Sequence, residues 1–351
     1  GTLNFFGEED LSLVFSKSAD YTNGDQGYSI YDMFRRQAAA TPGNCAILAE
    51  DGNLTYAELL ERAEKTAACL QHAGIRCGMA VGVHMERSGY LQAAILGILK
   101  AGGLYLPLDT DLPGKRVDFI LEDSHAGILL TDTASKAKFT GRNLQILTTA
   151  DIDRATPATP AKAAPMANEI AALLYTSGTT GQPKGVLIKQ SSITNYMNWL
   201  QNCYPLEESD RVLFKTSIGF DVSMLELLRP LMAGAAAVIA PPGMHYDMKG
   251  LWELSKRTCV SAVFFSPSIL RLFIDEAAQD TEGLKIREII SAGEPLRPEL
   301  VNRVLSAFPE AALLNFYGPT ETTINVTHWR CTNSPGETVP IGYPAAGANL
   351  Y

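Results

Sequence analysis

No stretch of this 351-residue chain is apolar for long enough to cross a membrane. The best run, Leu91–Leu99, falls far short of the about 20 residues a spanning helix needs. Positive charge is not in excess either. Lys and Arg number 29 against 38 Asp and Glu, a net charge of −9, which argues against nucleic acid or an anionic lipid surface as partner. The six cysteines (45, 69, 77, 203, 259 and 331) form no C-x-x-C pair, and the five histidines show no metal-ligand spacing. The cysteines are therefore expected to be small buried hydrophobes in a reducing cytosol, and no structural zinc is expected. The N-terminus, GTLNFFGEEDLSLVF, is acidic and lacks a charged-then-apolar leader. Together these absences predict a cytoplasmic protein that engages neither membrane nor nucleic acid.

What is present is an ordinary globular composition, 46% hydrophobic and 19% charged. Residues 1–27 read as an N-terminal linker. From there short apolar runs alternate with helical periodicity. Thr55 opens a helix whose apolar positions 56, 59, 60, 63, 67 and 70 keep a period near 3.6. AVGVHM (80–85) reads as a buried strand, Gly89 to Ala101 as an apolar helix and Gly127 to Thr131 as a further strand. Repeated βα units of this kind predict an α/β fold of two doubly wound, mostly parallel sheets with helices on their faces. The Ala/Pro/Thr-rich stretch 153–168 reads as a connector between a first lobe (28–152) and a second (169–351).

The densest chemistry lies in LLYTSGTTGQPKG (173–185). An apolar strand runs into glycines, which tolerate positive φ, and four hydroxyls, with one lysine at the end. Thr176, Ser177, Gly178, Thr179, Thr180, Gly181 and Lys184 together suit a polyphosphate. The ordinary P-loop does not fit, because Gly178 and Gly181 are too close and Lys184 is followed by Gly185. Asp221, between Phe220 and Val222, admits two readings: an N-cap for the helix that follows, or a carboxylate waiting for a cation.

LTYAEL (54–59), LKAGGLYLPLD (99–109), LLYTSGTTGQPKG (173–185), FDVS (220–223) and NFYGPTE (315–321) occur in an order that resembles the adenylate-forming enzymes. Within that superfamily they are most similar to the large N-terminal core of nonribosomal peptide synthetase adenylation domains. The resemblance implies ATP-dependent activation of an α-amino acid, with ATP and Mg²⁺ as cofactors. It implies as partners the amino acid, a carrier-protein (thiolation) domain and neighbouring synthetase domains. The phosphate loop and Lys184 would hold the β- and γ-phosphates. Ala292, Gly293 and Glu294 would border adenine, while Asn315, Phe316, Tyr317 and Gly318 would bind it. Thr320 would reach the α-phosphate and Glu321 would ligate Mg²⁺, so Thr176, Lys184, Thr320 and Glu321 form the implied catalytic set. Asp221 would pair with the substrate ammonium.

Motif spacing places the remaining pocket positions at Val222, Leu225, Phe264, Ile290, Ala292, Phe316, Ile324 and Asn325. That lining is apolar, with Asp221 its one charge, and suits a small to medium apolar side chain. The D-V-x-F-I-A run resembles pockets that take proline. The family continues beyond IGYPAAGANLY into a ribose-binding aspartate, an arginine and a small C-terminal domain with a catalytic lysine, none of which is in this sequence. On that resemblance the chain is expected to be a core with impaired full-rate adenylation. A coenzyme A or aryl-acid ligase and a non-catalytic scaffold are the competing readings. Asp221 opposes the first, and the intact loop with Glu321 opposes the second.

Overall fold

The computed structural model describes residues 28–156, 170–177, 182–278, 284–333, 336–345 and 347–348. The 1–27 linker and the connector from residue 157 onward lie outside the described residues, as do Gly178, Thr179, Thr180 and Gly181. The first part of the chain forms α1 (Ile30–Ala40), β1 (Cys45–Leu48), β2 (Leu54–Thr55), α2 (Tyr56–His72), β3 (Ala80–His84), α3 (Gly89–Lys100) and β4 (Leu104–Pro107). It continues through α4 (Gly114–Asp123), β5 (Ile128–Thr131), β6 (Gln145–Thr148), α5 (Thr149–Arg154) and the β7 (Ile170–Ser177) and β8 (Pro183–Lys189) pair. After α6 (Gln190–Cys203) come β9 (Arg211–Phe214), α7 (Ser223–Ala233), β10 (Ala236–Ile239), α8 (Met248–Thr258) and β11 (Ala262–Phe265). The chain ends through α9 (Pro267–Ala277), β12 (Glu288–Ser291), α10 (Pro298–Ala307), β13 (Ala312–Tyr317), β14 (Thr327–Arg330) and β15 (Tyr343–Pro344).

Local signals set many of these boundaries. Thr55 accepts from the Glu58 amide while Glu58 accepts from the Thr55 amide at 2.7 Å, a reciprocal cap that starts α2 at the position its sequence predicts. The α2 positions 56, 59, 63, 67 and 70 are buried, as their period requires. Gly97 lets α3 approach α2 closely, since a Cβ there would sit 2.5 Å from Thr66 Cβ.

The strands form a six-stranded sheet, β6-β5-β3-β4-β7-β8, and a nine-stranded one, β15-β14-β13-β12-β11-β9-β10-β1-β2. Both are parallel at their centres, with antiparallel strands only at edges: β8, β2, β14 and β15. The lobes are not sequential segments, which corrects the division at 152 and 169. β1 pairs with β10 and so belongs to the second sheet, and β7 pairs with β4 and so carries the glycine motif in the first. The reason is that hydrophobic periodicity identifies a strand but not its neighbour. The connector boundary also shifts, because 153–154 close α5.

Side chains of α1, α2, α3, α6 and α7 share one apolar core with the facing sides of both sheets, including Phe34, Leu96, Trp199, Leu228, Val83 and Leu314. Helices α8–α10 cover the far side of the nine-stranded sheet through Trp252, Phe273 and Val301, and α4 covers that of the six-stranded one through Val117 and Ile120. The layers are therefore helix, sheet, helix, sheet, helix. Tyr56, from the LTYAEL motif, donates its buried hydroxyl to the carbonyls at the end of α7, 2.7 Å from Ala235 O. That motif tyrosine acts in packing. Among the described residues no helix is long and apolar enough to cross a membrane.

Candidate active site

Parallel strands β9, β11, β12 and β13 all point their C-terminal ends at one edge, and a ligand cleft is expected outside that edge. A cleft of about 640 Å³ lies there. Its walls come from the turns after β9 (215–222), β12 (292–294) and β13 (318–325), with Phe264 on β11. The loops after β4 and β10 add Asp109, Asp111, His245 and Tyr246.

Of the nine sequence-derived substrate positions, Asp221, Val222, Phe264, Ala292, Ile324 and Asn325 line this cleft. Leu225, Ile290 and Phe316 are buried in the same apolar core as Phe264, Ala292 and Ile324. Ile290 and Ala292 are two apart on one strand face, so Ile290 sits one pleat deeper than the strand end where the cleft opens. The Phe316 ring is taken up by Trp199 and Tyr204, each at 6.1 Å between centroids.

Asp221 is only 9% exposed, and its Oδ2 has no hydrogen-bond partner. Helix α7 starts after Val222 with no side-chain cap, so the N-cap reading of Asp221 is not used. Burial pushes the Asp221 carboxyl above the usual carboxylate range, and the Thr320 hydroxyl and the amides of Val222 and Ile324 pull it part of the way back. Opposite, Asn325 donates Nδ2–H to Tyr196 Oη at 3.1 Å, which anchors the cleft floor.

The turn after β13 is bent hard. Thr323 and Ile324 take φ of 69° and 67°, a left-handed conformation costly for a β-branched residue. Gly318 is the residue that permits it: a Cβ there would lie 2.5 Å from Asn325 Cα. The bend brings Ile324 and Asn325 back to the cleft beside Gly318.

The nucleotide-motif residues are distributed differently from one another. Ala292, Gly293, Glu294 and Gly318 line the cleft, and the Tyr317 ring is half exposed next to it. Glu294 accepts from the Ser268 hydroxyl at 2.7 Å and from the Ser268 amide at 3.2 Å, which pins the 292–294 turn to the start of α9. Asn315 is buried and donates Nδ2–H to Pro340 O at 2.8 Å, so its amide ties β13 to the segment before β15. Phe316 is buried in the core.

The strands that flank the glycine motif form an antiparallel hairpin pair. β7 and β8 are antiparallel, with Thr176 opposite Lys184 and Ser177 opposite Pro183. Lys184 and Ser177 are exposed at the end of the strand pair nearest residues 178–181. β8 packs against the 3₁₀ turn Thr320–Thr322, so the hairpin stands beside Thr320 and the exposed Glu321. Hairpin, 3₁₀ turn and cleft thus form one continuous surface.

Sequence reasoning missed the charged frame around this surface. Lys215 lines the cleft, and its Nζ lies 3.1 Å from Glu226 Oε1 and 2.6 Å from Thr216 Oγ1. Glu226 also accepts from the amides of Lys215 and Thr216, at 3.1 and 2.8 Å. Arg87 donates to Ala240 O at 3.0 Å and to His245 Nδ1 at 3.1 Å. Burial, with that guanidinium alongside, pushes the His245 imidazole below its ordinary value and so suits the acceptor role. The cleft therefore holds Asp109, Asp111, Lys215, His245 and Glu294 besides Asp221, whereas of these the motifs pointed only to Asp221 and Glu294. Only the short spacing from Lys215 to Glu226 hinted at any of this.

Residues 34–351 match the AMP-binding enzyme family. The chain is 39% identical over 337 residues to the phosphinothricin tripeptide synthetase PhsB of Streptomyces viridochromogenes, covering 93% of this chain and 28% of that protein. To tyrocidine synthase 3 of Brevibacillus parabrevis it is 33% identical over 359 residues, 98% of this chain and 5% of that protein. The chain thus spans less than a third of the length of these curated relatives. Among solved structures it is similar to the AMPPNP-bound form of the nonribosomal peptide synthetase FmoA3, with a TM-score of 0.89 and 28% identity over 95% of this chain and 36% of that one. The N-terminal subdomain of NpsA from Klebsiella oxytoca, in complex with 3-hydroxybenzoyl-AMSN, gives a TM-score of 0.82 at 27% identity, over 91% of this chain and 79% of that one.

Proposed function

Because the chain belongs to the AMP-binding enzyme family, as a nonribosomal peptide synthetase adenylation core, we propose that it activates an α-amino acid with ATP. A carboxylate oxygen of the amino acid attacks the α-phosphorus, the bond from that phosphorus to the β-bridging oxygen breaks, and pyrophosphate leaves. Two anions must meet, so positioning and charge neutralisation supply most of the rate. The observation that carries the amino-acid assignment is Asp221, a buried carboxylate with an unpartnered Oδ2 on a cleft whose apolar wall includes Val222, Phe264, Ala292 and Ile324. A substrate ammonium satisfies that oxygen, and those apolar walls fit a small to medium side chain, a proline ring among them. The activated product passes to a carrier-protein domain, in keeping with relatives far longer than this chain.

In this reading Lys184, Thr176 and the neighbouring hydroxyls hold the β- and γ-phosphates. Tyr317 offers its exposed ring to adenine, and Thr320 reaches the α-phosphate. Mg²⁺ takes one or two protein carboxylates plus phosphate oxygens and waters. A single exposed Glu321 beside the hairpin fits that donor set, and the described residues contain no cluster of three metal-ligating side chains. When bound, the ion neutralises phosphate charge.

The experiment is pyrophosphate exchange with a panel of apolar amino acids against their deaminated analogues. A strong preference for the amino acids is expected; equal turnover of both would favour an acid ligase instead. Lys184→Ala should weaken ATP binding by about tenfold or more, the loss of a charge-assisted contact, while AMP binding changes little. Titration calorimetry with both nucleotides checks this, and an equal loss for ATP and AMP would remove Lys184 from the terminal phosphates. Glu321→Gln should raise the Mg²⁺ concentration needed for half-maximal exchange several-fold without altering amino-acid KM. An unchanged magnesium curve would place the metal ligand elsewhere.

A further inference from the structure

We propose that Asp109, which belongs to the six-stranded sheet, is a positioning residue for the ammonium site on the other sheet, acting through Ser217. The inference rests on the amino-acid reading above. Asp109 lies just past the end of β4. Its Oδ2 accepts the hydroxyl proton of Ser217, which lies just past the end of β9, so one hydrogen bond joins the two sheets' loops. Its Oδ1 accepts from the Asp111 amide at 2.9 Å, which fixes the carboxylate's orientation. Ser217 Oγ in turn accepts from the Gly219 amide at 3.3 Å, and Ser217 O accepts from the Phe220 amide at 3.1 Å.

The segment 217–222 needs such a tie. Before it, Lys215 and Thr216 are clamped by Glu226; after it, α7 begins at Ser223. Its other main-chain hydrogen bonds are local: Ser223 donates its amide and hydroxyl to Phe220 O, and the Met224 amide donates to Asp221 O, while the Asp221 carboxylate also accepts from the Thr320 hydroxyl and the Ile324 amide. Ile218 is buried in the shared core and Val222 packs against it, but between them Gly219 offers no side chain and Phe220 is 65% exposed, so apolar packing holds the arc only in part. Its path, and with it the place of the Asp221 carboxylate, therefore depends in part on where Ser217 is fastened. Arg87 makes a parallel tie from the same sheet to the loop after β10, through Ala240, Pro241 and His245. Amine recognition is thus set in part by the sheet that does not carry Asp221.

The test uses paired probes, sulfamoyl-adenosine conjugates of proline and of cyclopentanecarboxylic acid, with alanine and valine conjugates and their deaminated twins alongside. Affinities for wild type, S217A, S217T, D109A and D221A are measured by calorimetry, together with AMP. The readout is the ratio of affinities, amine over deaminated, for the pair that wild type binds best. D109A and S217A should each lower that ratio about tenfold, as loss of a hydrogen bond to a charged group predicts. S217T, which keeps the hydroxyl, should restore most of it, and AMP affinity should stay within about twofold in all of these variants. A ratio that falls in D221A but stays at the wild-type value in S217A and D109A would overturn the inference and leave the amino-acid reading standing. If D221A leaves the ratio unchanged, the amino-acid reading fails and takes the inference with it. AMP affinity falling in step with the ratio would mean a general structural role and would also overturn the positioning role.

Discussion

Asp221→Ala is expected to reduce amino-acid activation by about two to four orders of magnitude, the equivalent of the ~3–5 kcal/mol that a desolvated charge pair loses when one partner is removed. Deaminated analogues should lose far less, because they make no use of the carboxylate. The same substitution should stabilise the ligand-free protein at neutral pH. Asp221 is buried, and its folded-state carboxyl is held above the ordinary range by that burial, so its contribution to stability is present below its unfolded pKa and is lost as pH rises through the folded value. At pH 7 the charged form is therefore a cost that alanine removes, and the gain should vanish on acidification below the ordinary carboxylate range. Amino-acid affinity should run the other way. It should fall on acidification through the raised Asp221 value, since only the ionised form pairs with ammonium. Thermal melts and exchange kinetics over a pH series check both limbs. If Asp221→Ala keeps a strong preference for amino acids, or lowers stability at neutral pH, the ammonium assignment is wrong.

Glu226→Ala should be the most destabilising substitution near the site, by about 3–5 kcal/mol, because it strands a buried ammonium. Lys215 is 7% exposed and Glu226 1%, and the glutamate also satisfies two main-chain amides at the end of β9. The effect should exceed that of an exposed pair such as Arg257 with Glu50, which is worth at most about 1 kcal/mol. Replacing both partners, Lys215→Met with Glu226→Leu, should recover much of the lost stability, since no charge is left unpaired; the two amides still lose their acceptor. Chemical denaturation of the single and double variants measures this. A Glu226→Ala loss below about 1 kcal/mol would show that water reaches Lys215 and that the pair does not hold the cleft wall.

Thr55 announced the start of α2, and the period of its apolar residues announced the buried face, because both are encoded within one turn or two of chain. The βα alternation likewise announced two mostly parallel sheets. Strand β8 was less visible: PKGVLIK alternates poorly and leaves Leu187 58% exposed, so nothing local marks it as the partner of β7. Phe316 sits in a strand whose register shares it between wall and core, and only the presence of Trp199 and Tyr204 assigns it to the core.

Residue type and short spacing were enough for the elements, the family motifs and the candidacy of Asp221, Lys184 and Glu321. Folding in three dimensions was needed to send β1 to the second sheet and the β7–β8 hairpin to the first, and to bury Leu225, Ile290 and Phe316 in the shared core. It also brought Asp109 to Ser217, 108 positions away, and left one oxygen of Asp221 without a partner. One physical reason covers all of these. Propensity, capping and periodicity act over a few residues, whereas sheet neighbours and buried polar partners are fixed by contacts between segments whose separation along the chain carries no signal.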